Sequence, residues 1–216
     1  PALAYGSQLA IGAIFVTLIY GILRFANFAT GDMMSFGTMV AILFTWYFQS
    51  LGLSLGFLPT ALLAIPFAIL FMGLYMLIID KFVFKYYRLN KSPPVQLAMV
   101  SIGVMFVTQA VVRIIIGPSD RRFFDGEKFL IRANEFKEMT GLNEGLAIKS
   151  TQVITIVVTI ILVSTLFWFL NKTKTGKSMR AYSDNEDLAL LSGIDPKRIV
   201  MITWMIAAIL ATIGGV

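Results

Sequence analysis

Three properties of this 216-residue sequence predict an all-α fold, a polytopic transmembrane helical bundle. Apolar residues make up 57% of it and charged residues 14%, with a mean hydropathy of +0.81, more oily surface than one water-soluble core can hide. The charges gather into a few runs separated by long uncharged segments, which divides loops from lipid-facing stretches. Those stretches reach the roughly 20 residues that a helix needs to cross a bilayer core.

About six spans are expected, within a single transmembrane domain covering residues 1–216. Residues 3–23 are uncharged and form the first. Residues 33–79 are too long for one crossing and break around Gly52, Ser54, Gly56 and Pro59 into spans 33–50 and 58–79, with a short external turn between them. Pro93 and Pro94 suit a helix start and open span 93–116; spans 151–170 and 199–216 complete the set. The first stretch lacks a basic leader and a small-residue cleavage site, and further spans follow it, so it is not expected to be a cleaved signal. The chain stops at Gly214, Gly215 and Val216 as a hydrophobic segment ends, so a longer protein with further spans is expected.

The net charge of +6 is explained by topology and not by nucleic acid, because the basic residues lie beside hydrophobic spans. Lys81, Lys85, Arg88 and Lys91 flank one turn, and Lys172, Lys174, Lys177, Arg180, Lys197 and Arg198 populate another; both are expected to face the cytoplasm. Residues 118–150 hold six acidic and six basic side chains and are expected to form an external loop. Span parity then places Arg24 inside and the first residue outside. The chain has no Cys and no His, which removes disulfides, thiolate or imidazole metal sites and a Ser/His catalytic pair. No GxxxxGK[ST] phosphate loop is present. No catalytic residue, metal site or cofactor is expected in this chain.

Between the first two spans the sequence runs RFANFATGDMMSFG, and Asn27, Thr30, Gly31 and Asp32 are poor choices for a lipid-exposed helix. One explanation is a cytoplasmic turn in which Thr30 caps the next helix and Asp32 sits in its first turn, favoured by the helix dipole. The other is non-helical backbone at membrane depth, tolerated only where protein or water covers it, as in the broken helices of transporters. The residues taken alone favour the turn.

Residues 172–198 combine basic residues with a short amphipathic stretch, in which Leu188, Leu191 and Ile194 recur at three-residue spacing beside Ala189. A short helix docking that face is expected, ended by Gly193 and barred from continuing by Pro196. Elsewhere, Arg113 is expected to snorkel from the outer end of its span, Asp80 and Lys81 to anchor an inner end, and Trp46, Tyr47 and Phe48 to form an interfacial aromatic belt. Gly52 and Gly56 fall in a proposed turn, so their GxxxG spacing is not a helix-pairing motif.

The segments LIYGILRFANFATGDMMSFGTMVA at 18–41 and KTKTGKSMRAYSDNEDLALLSGIDPKRI at 172–199 resemble the permease subunits of bacterial branched-chain amino acid ABC transporters. Family members usually carry NFAHGD or NFAHGE, so Asn27, Phe28, Ala29, Gly31 and Asp32 match while Thr30 stands in place of His. The resemblance implies that Asn27, Thr30, Gly31 and Asp32 belong to the translocation pathway, which shifts the preference to the broken-helix explanation. It implies further that 172–198 is the cytoplasmic coupling loop, with Met179, Arg180, Asp187, Ala189, Leu190 and Gly193 at the interface with an ATPase. Asp187 stands where relatives often carry Glu. The implied partners are a second permease subunit, homologous or identical, ATP-binding subunits that hold ATP and Mg, a periplasmic or extracellular substrate-binding protein meeting the 118–150 loop, and membrane lipid. The implied location is the bacterial inner membrane. Leucine, isoleucine and valine are the favoured substrates, with related small amino acids, urea or amides the alternatives. A secondary transporter or channel working without an ATPase, and a noncatalytic membrane scaffold, are the competing functions.

Overall fold

A computed structural model describes residues 2–52, 60–117, 119, 130–131 and 148–216. Its helices are α1 (Ala2–Leu23), α2 (Thr30–Ser50), α3 (Ala61–Ile79), a π-helical turn (Asp80–Phe84) leading into α4 (Lys85–Leu89), α5 (Pro94–Ile116), α6 (Ser150–Lys172), α7 (Lys174–Asp184), α8 (Glu186–Leu191) and α9 (Pro196–Gly215). Two-residue strands β1 (Leu130–Ile131) and β2 (Ile148–Lys149) pair antiparallel. The remainder of the expected external loop, and most of the expected turn at 52–59, lie outside the described residues.

Among the described residues, five helical stretches are long and apolar enough to cross a membrane: Ala2–Leu23, Ala61–Leu89, Pro94–Ile116, Gln152–Lys172 and Pro196–Gly215. The expected span 33–50 is helical and, as α2, 21 residues long, but its polar N-terminal turn makes it less apolar than the other five. The basic segment after α3 differs from expectation. Helix continues through Lys81, Lys85 and Arg88 to Leu89, so the turn shrinks to Asn90–Pro93. Pro93 is the N-cap of α5 and Pro94 its first residue, as their fixed φ favours. Pro196 likewise starts α9, after Asp195 accepts a hydrogen bond from the Lys197 N–H at 3.0 Å.

α9 is central and packs against α1, α2 and α3. Trp204, Ala207, Ala208 and Ala211 are fully buried on it, and small side chains let neighbouring helices approach closely. A Cβ on Gly37 of α2 would lie 3.2 Å from the Thr212 Cα, and one on Gly214 only 2.8 Å from Ile11 Cγ2. α2 and α3 run antiparallel along an aromatic seam. Phe36 stacks on Tyr75 at 4.0 Å, Phe44 lies 5.4 Å from both Phe67 and Phe71, and Phe48 meets Phe67 edge-on at 5.6 Å. Phe48 is therefore a packing residue, while Trp46 and Tyr47 are exposed as the aromatic belt requires. α5 covers α2, and its Thr108 hydroxyl bonds the Tyr75 hydroxyl of α3 at 2.5 Å, while α6 packs against α1 and α7.

Candidate functional site: a helix break and the helical hairpin beside it

α1 ends at Leu23, and Arg24 takes a left-handed φ of 57° that reverses the chain. The next residues are non-helical, with a bend at Phe25 and a turn at Phe28–Ala29; Phe25, Asn27 and Ala29 are buried while Arg24, Ala26 and Phe28 are exposed. This segment runs back along α1, so the first turn of α2 sits beside the middle of α1. Tyr5, Gln8, Gly12 and Ala13 of α1 line one groove with Thr30 and Gly31 of α2. At 1.5 Å per residue, the ten residues from Ala13 to Leu23 put the start of α2 about 15 Å above the end of α1. The helix break therefore lies level with the middle of α1, a helix long enough and apolar enough to cross a membrane.

Non-helical backbone at that depth needs internal partners. Ser101 of α5, itself fully buried, accepts the Phe28 N–H at 3.0 Å, and Asn27 Oδ1 accepts the Ala29 N–H at 3.1 Å. Phe25 fills the space below against the Phe84 ring, with centroids 5.0 Å apart. Thr30 does not cap α2. The N-cap is Ala29, which provides no side-chain bond, because Thr30 has already entered the helix. Asp32 occupies the first turn.

The four pathway candidates thus divide. Thr30 and Gly31 line the open groove of about 370 Å³ between α1 and α2, and a Cβ on Gly31 would meet nothing within 4 Å. Asn27 is buried and holds the turn, its Nδ2 directed at Met33 Sδ at 3.6 Å. Asp32 is half-buried outside that groove, close enough to Arg113 for their charges to interact. Arg113 itself is exposed, near the outer end of α5.

The 172–198 loop is a hairpin of two helices where one was expected. α7 is the amphipathic one, burying Gly176, Met179 and Tyr182. Gly176 is required: a Cβ there would lie 2.6 Å from the Leu170 Cα at the end of α6. Thr173 caps α7 by accepting the Gly176 N–H at 3.0 Å. Burial first, and then the hydrogen bond donated to Glu186 at 2.8 Å, raise the Tyr182 phenol well above its ordinary pKa, so it stays a donor.

α8 is capped by Asn185, which accepts the Leu188 N–H at 3.1 Å. It ends in a Schellman turn in which Ile194 N–H bonds Ala189 O and Gly193 N–H bonds Leu190 O, each at 3.0 Å, with Gly193 at φ 80°. That turn swings Ile194 back onto the core and leaves Leu188, Leu190 and Leu191 exposed by 60, 45 and 85%. The expected docking face is therefore corrected: Ala189 and Ile194 pack inward, and Leu188 and Leu191 point outward. Of the coupling candidates, Met179 and Ala189 are buried in the chain's own core, while Arg180, Asp187, Leu190 and Gly193 are exposed.

Two contact sets were not foreseen. Asp80 is no simple interfacial anchor: Arg88 donates to its carboxylate at 2.6 and 2.9 Å, and the Trp204 indole N–H donates at 2.7 Å. The eight-residue spacing hides this pair in sequence, because the π turn adds one residue and aligns positions that a regular helix would separate. Arg24 donates to the Ser183 and Asp184 carbonyls at 2.5 and 2.9 Å, and the Ser183 hydroxyl donates to Gly21 O at 2.5 Å. These partners are about 160 residues apart in sequence, and no local pattern signals them.

The family model for the branched-chain amino acid transport system permease component matches residues 2–216. The chain is 27% identical over 215 residues to the high-affinity branched-chain amino acid transport system permease protein LivH of Escherichia coli K12, covering 98% of this chain and 66% of that protein. It is 25% identical over 216 residues to BraD, a permease protein of the same kind of system in Pseudomonas aeruginosa, covering 99% of this chain and 67% of BraD. A probable branched-chain amino acid transport permease protein LivH of Methanocaldococcus jannaschii is 26% identical over 223 residues, covering 99% and 63%. The chain spans 66% of the length of the LivH proteins that it matches in Escherichia coli. No solved structure matches it. With membrane-crossing helices throughout and a family match along its whole length, this multi-pass chain of the cell membrane belongs to the branched-chain amino acid transport permease family.

Proposed function

We propose that the chain works as the membrane-spanning permease subunit of an ABC importer of the inner membrane, passing branched-chain amino acids or a related small amino acid or amide inward. The observation that carries this reading is the helix break level with the middle of α1, where Thr30 and Gly31 line an open groove in a chain of a permease family. The first-turn N–H groups of α2 have no side-chain cap, so the positive end of the helix dipole is available to a substrate carboxylate. Thr30 supplies a hydroxyl, and Gly31 lets the substrate approach the backbone. Asn27 and Asp32 act indirectly, Asn27 by fixing the turn and Asp32 by balancing the charge of Arg113.

The chain performs no chemistry in this scheme. ATP and Mg belong to a partner ATPase that docks on α7 and α8, with Arg180, Asp187, Leu190, Gly193 and the exposed Leu188 and Leu191 at the contact and Met179 and Ala189 supporting them from behind. A second permease subunit completes the pathway, and a substrate-binding protein outside delivers the solute.

Reconstitution of the full-length protein with its ATPase, second permease subunit and binding protein in proteoliposomes tests the scheme. Labelled leucine uptake should require ATP. Arg180→Glu, which reverses charge on the exposed face, and Gly193→Pro, which cannot hold φ 80°, should leave ATP hydrolysis running without uptake. Uptake driven by an ion gradient in the absence of the ATPase would overturn the proposal.

A further inference from the structure

Three hydrogen bonds join the helical hairpin to the helix break, and all run through one corner. Arg24 is the reversal residue itself, one position after α1 and immediately before the non-helical segment that leads to Thr30. Its guanidinium reaches across to the last two carbonyls of α7, Ser183 at 2.5 Å and Asp184 at 2.9 Å. Carbonyls in the last turn of a helix have no partner within that helix, and a cation there also meets the negative end of its dipole. Ser183 returns a bond to Gly21 O in the last turn of α1. The next residue after Asp184 is Asn185, the cap of α8. A displacement of α8 is therefore delivered to α7's end, through Arg24, to the backbone that sets where α2 begins. A non-glycine residue held at φ 57° is a strained hinge that persists only because its surroundings fix it.

We infer that Arg24 is the positioning residue that transmits motion of the α7–α8 hairpin to the helix break, with Ser183 as its second contact. The inference rests on the importer reading for its functional consequence, but the mechanical link is a property of the chain alone. Arg24 touches neither the groove nor the exposed face of α8, so its loss should spare assembly and substrate binding.

Two measurements test it. In the assembled transporter, Arg24→Ala should raise the ratio of ATP hydrolysed to solute moved at least about fivefold, the low end of ordinary coupling between sites. Arg24→Lys, which keeps the charge but not the two-pronged geometry, should recover part of the loss, and Ser183→Ala should give a smaller rise. If hydrolysis and uptake fall together in Arg24→Ala, the role is structural and the inference fails. The second measurement is hydrogen exchange of the full-length protein in nanodiscs, which needs no transport. Asn185→Ala, made at the α8 cap, should speed exchange at residues 27–32 in the wild-type background and leave those amides unaffected when Arg24→Ala is already present. An unchanged rate at 27–32 in Asn185→Ala, or the same acceleration with and without Arg24, overturns the inference. If the wild-type complex fails to couple uptake to ATP, the importer reading falls while the exchange result still decides the link.

Discussion

Trp204 serves two neighbours at once, stacking on Phe84 at 5.6 Å between centroids and donating its indole N–H to Asp80 at 2.7 Å. Asp80 has a side chain only 13% exposed, where a carboxylate needs every donor that it has. Trp204→Phe keeps ring packing and strips one donor from that carboxylate, an effect of about 1.5–3 kcal/mol for a hydrogen bond to a charged group. The measurable outcome is a lower melting temperature in detergent than that of Trp168→Phe, whose ring is 60% exposed on α6. Equal melting temperatures would show that the indole bond contributes nothing. The same reasoning ranks the break residues: Asn27 and Ser101 matter by satisfying backbone, Thr30 and Gly31 by what they leave open.

At the scale of elements, α8 shows how six residues hold a helix that propensity alone would not sustain. Asn185 closes its start, the Schellman bonds of Gly193 and Ile194 close its end, and Ala189 seats it on the core. Asn185→Ala removes the start and should cost about 1 kcal/mol of local helix stability, the usual value of an N-cap. Hydrogen exchange at Leu188–Leu191 should then rise several-fold, and no change there would assign the helix to packing alone. The glycine that ends it was legible in sequence, as was the presence of a short helix. Its orientation was not. Leu188 and Leu191 have the spacing of a buried face, but α8 is too short to bury one, and the turn at Gly193 sends Ile194 inward alone.

Over the whole molecule, α9 is the hub, and its contact with α2 sets the tilt of the helix that begins at the break. Gly37 permits that contact: a Cβ there would stand 3.1 Å from Thr212 Oγ1 and 3.2 Å from its Cα. Gly37→Leu should push α2 from α9 and cost about 1–3 kcal/mol by overpacking, seen as a lower melting temperature and reduced uptake in the reconstituted system. Gly103→Leu on α5, where a Cβ meets nothing within 4 Å, is the control that should stay near wild type. Sequence by itself determined the membrane class, the approximate positions of the long apolar helices and the family. Each of these rests on composition, apolar run length or local motifs, which act within a single helix or turn. Tertiary structure alone decided the level of the break along α1, the inward packing of Met179 and Ala189, the clasp of Asp80 by Arg88 and Trp204, and the bridge from Arg24 to Ser183 and Asp184. Those features depend on which distant helices touch, and that is set by the packing of whole apolar surfaces against one another, a property that no local pattern of residues encodes.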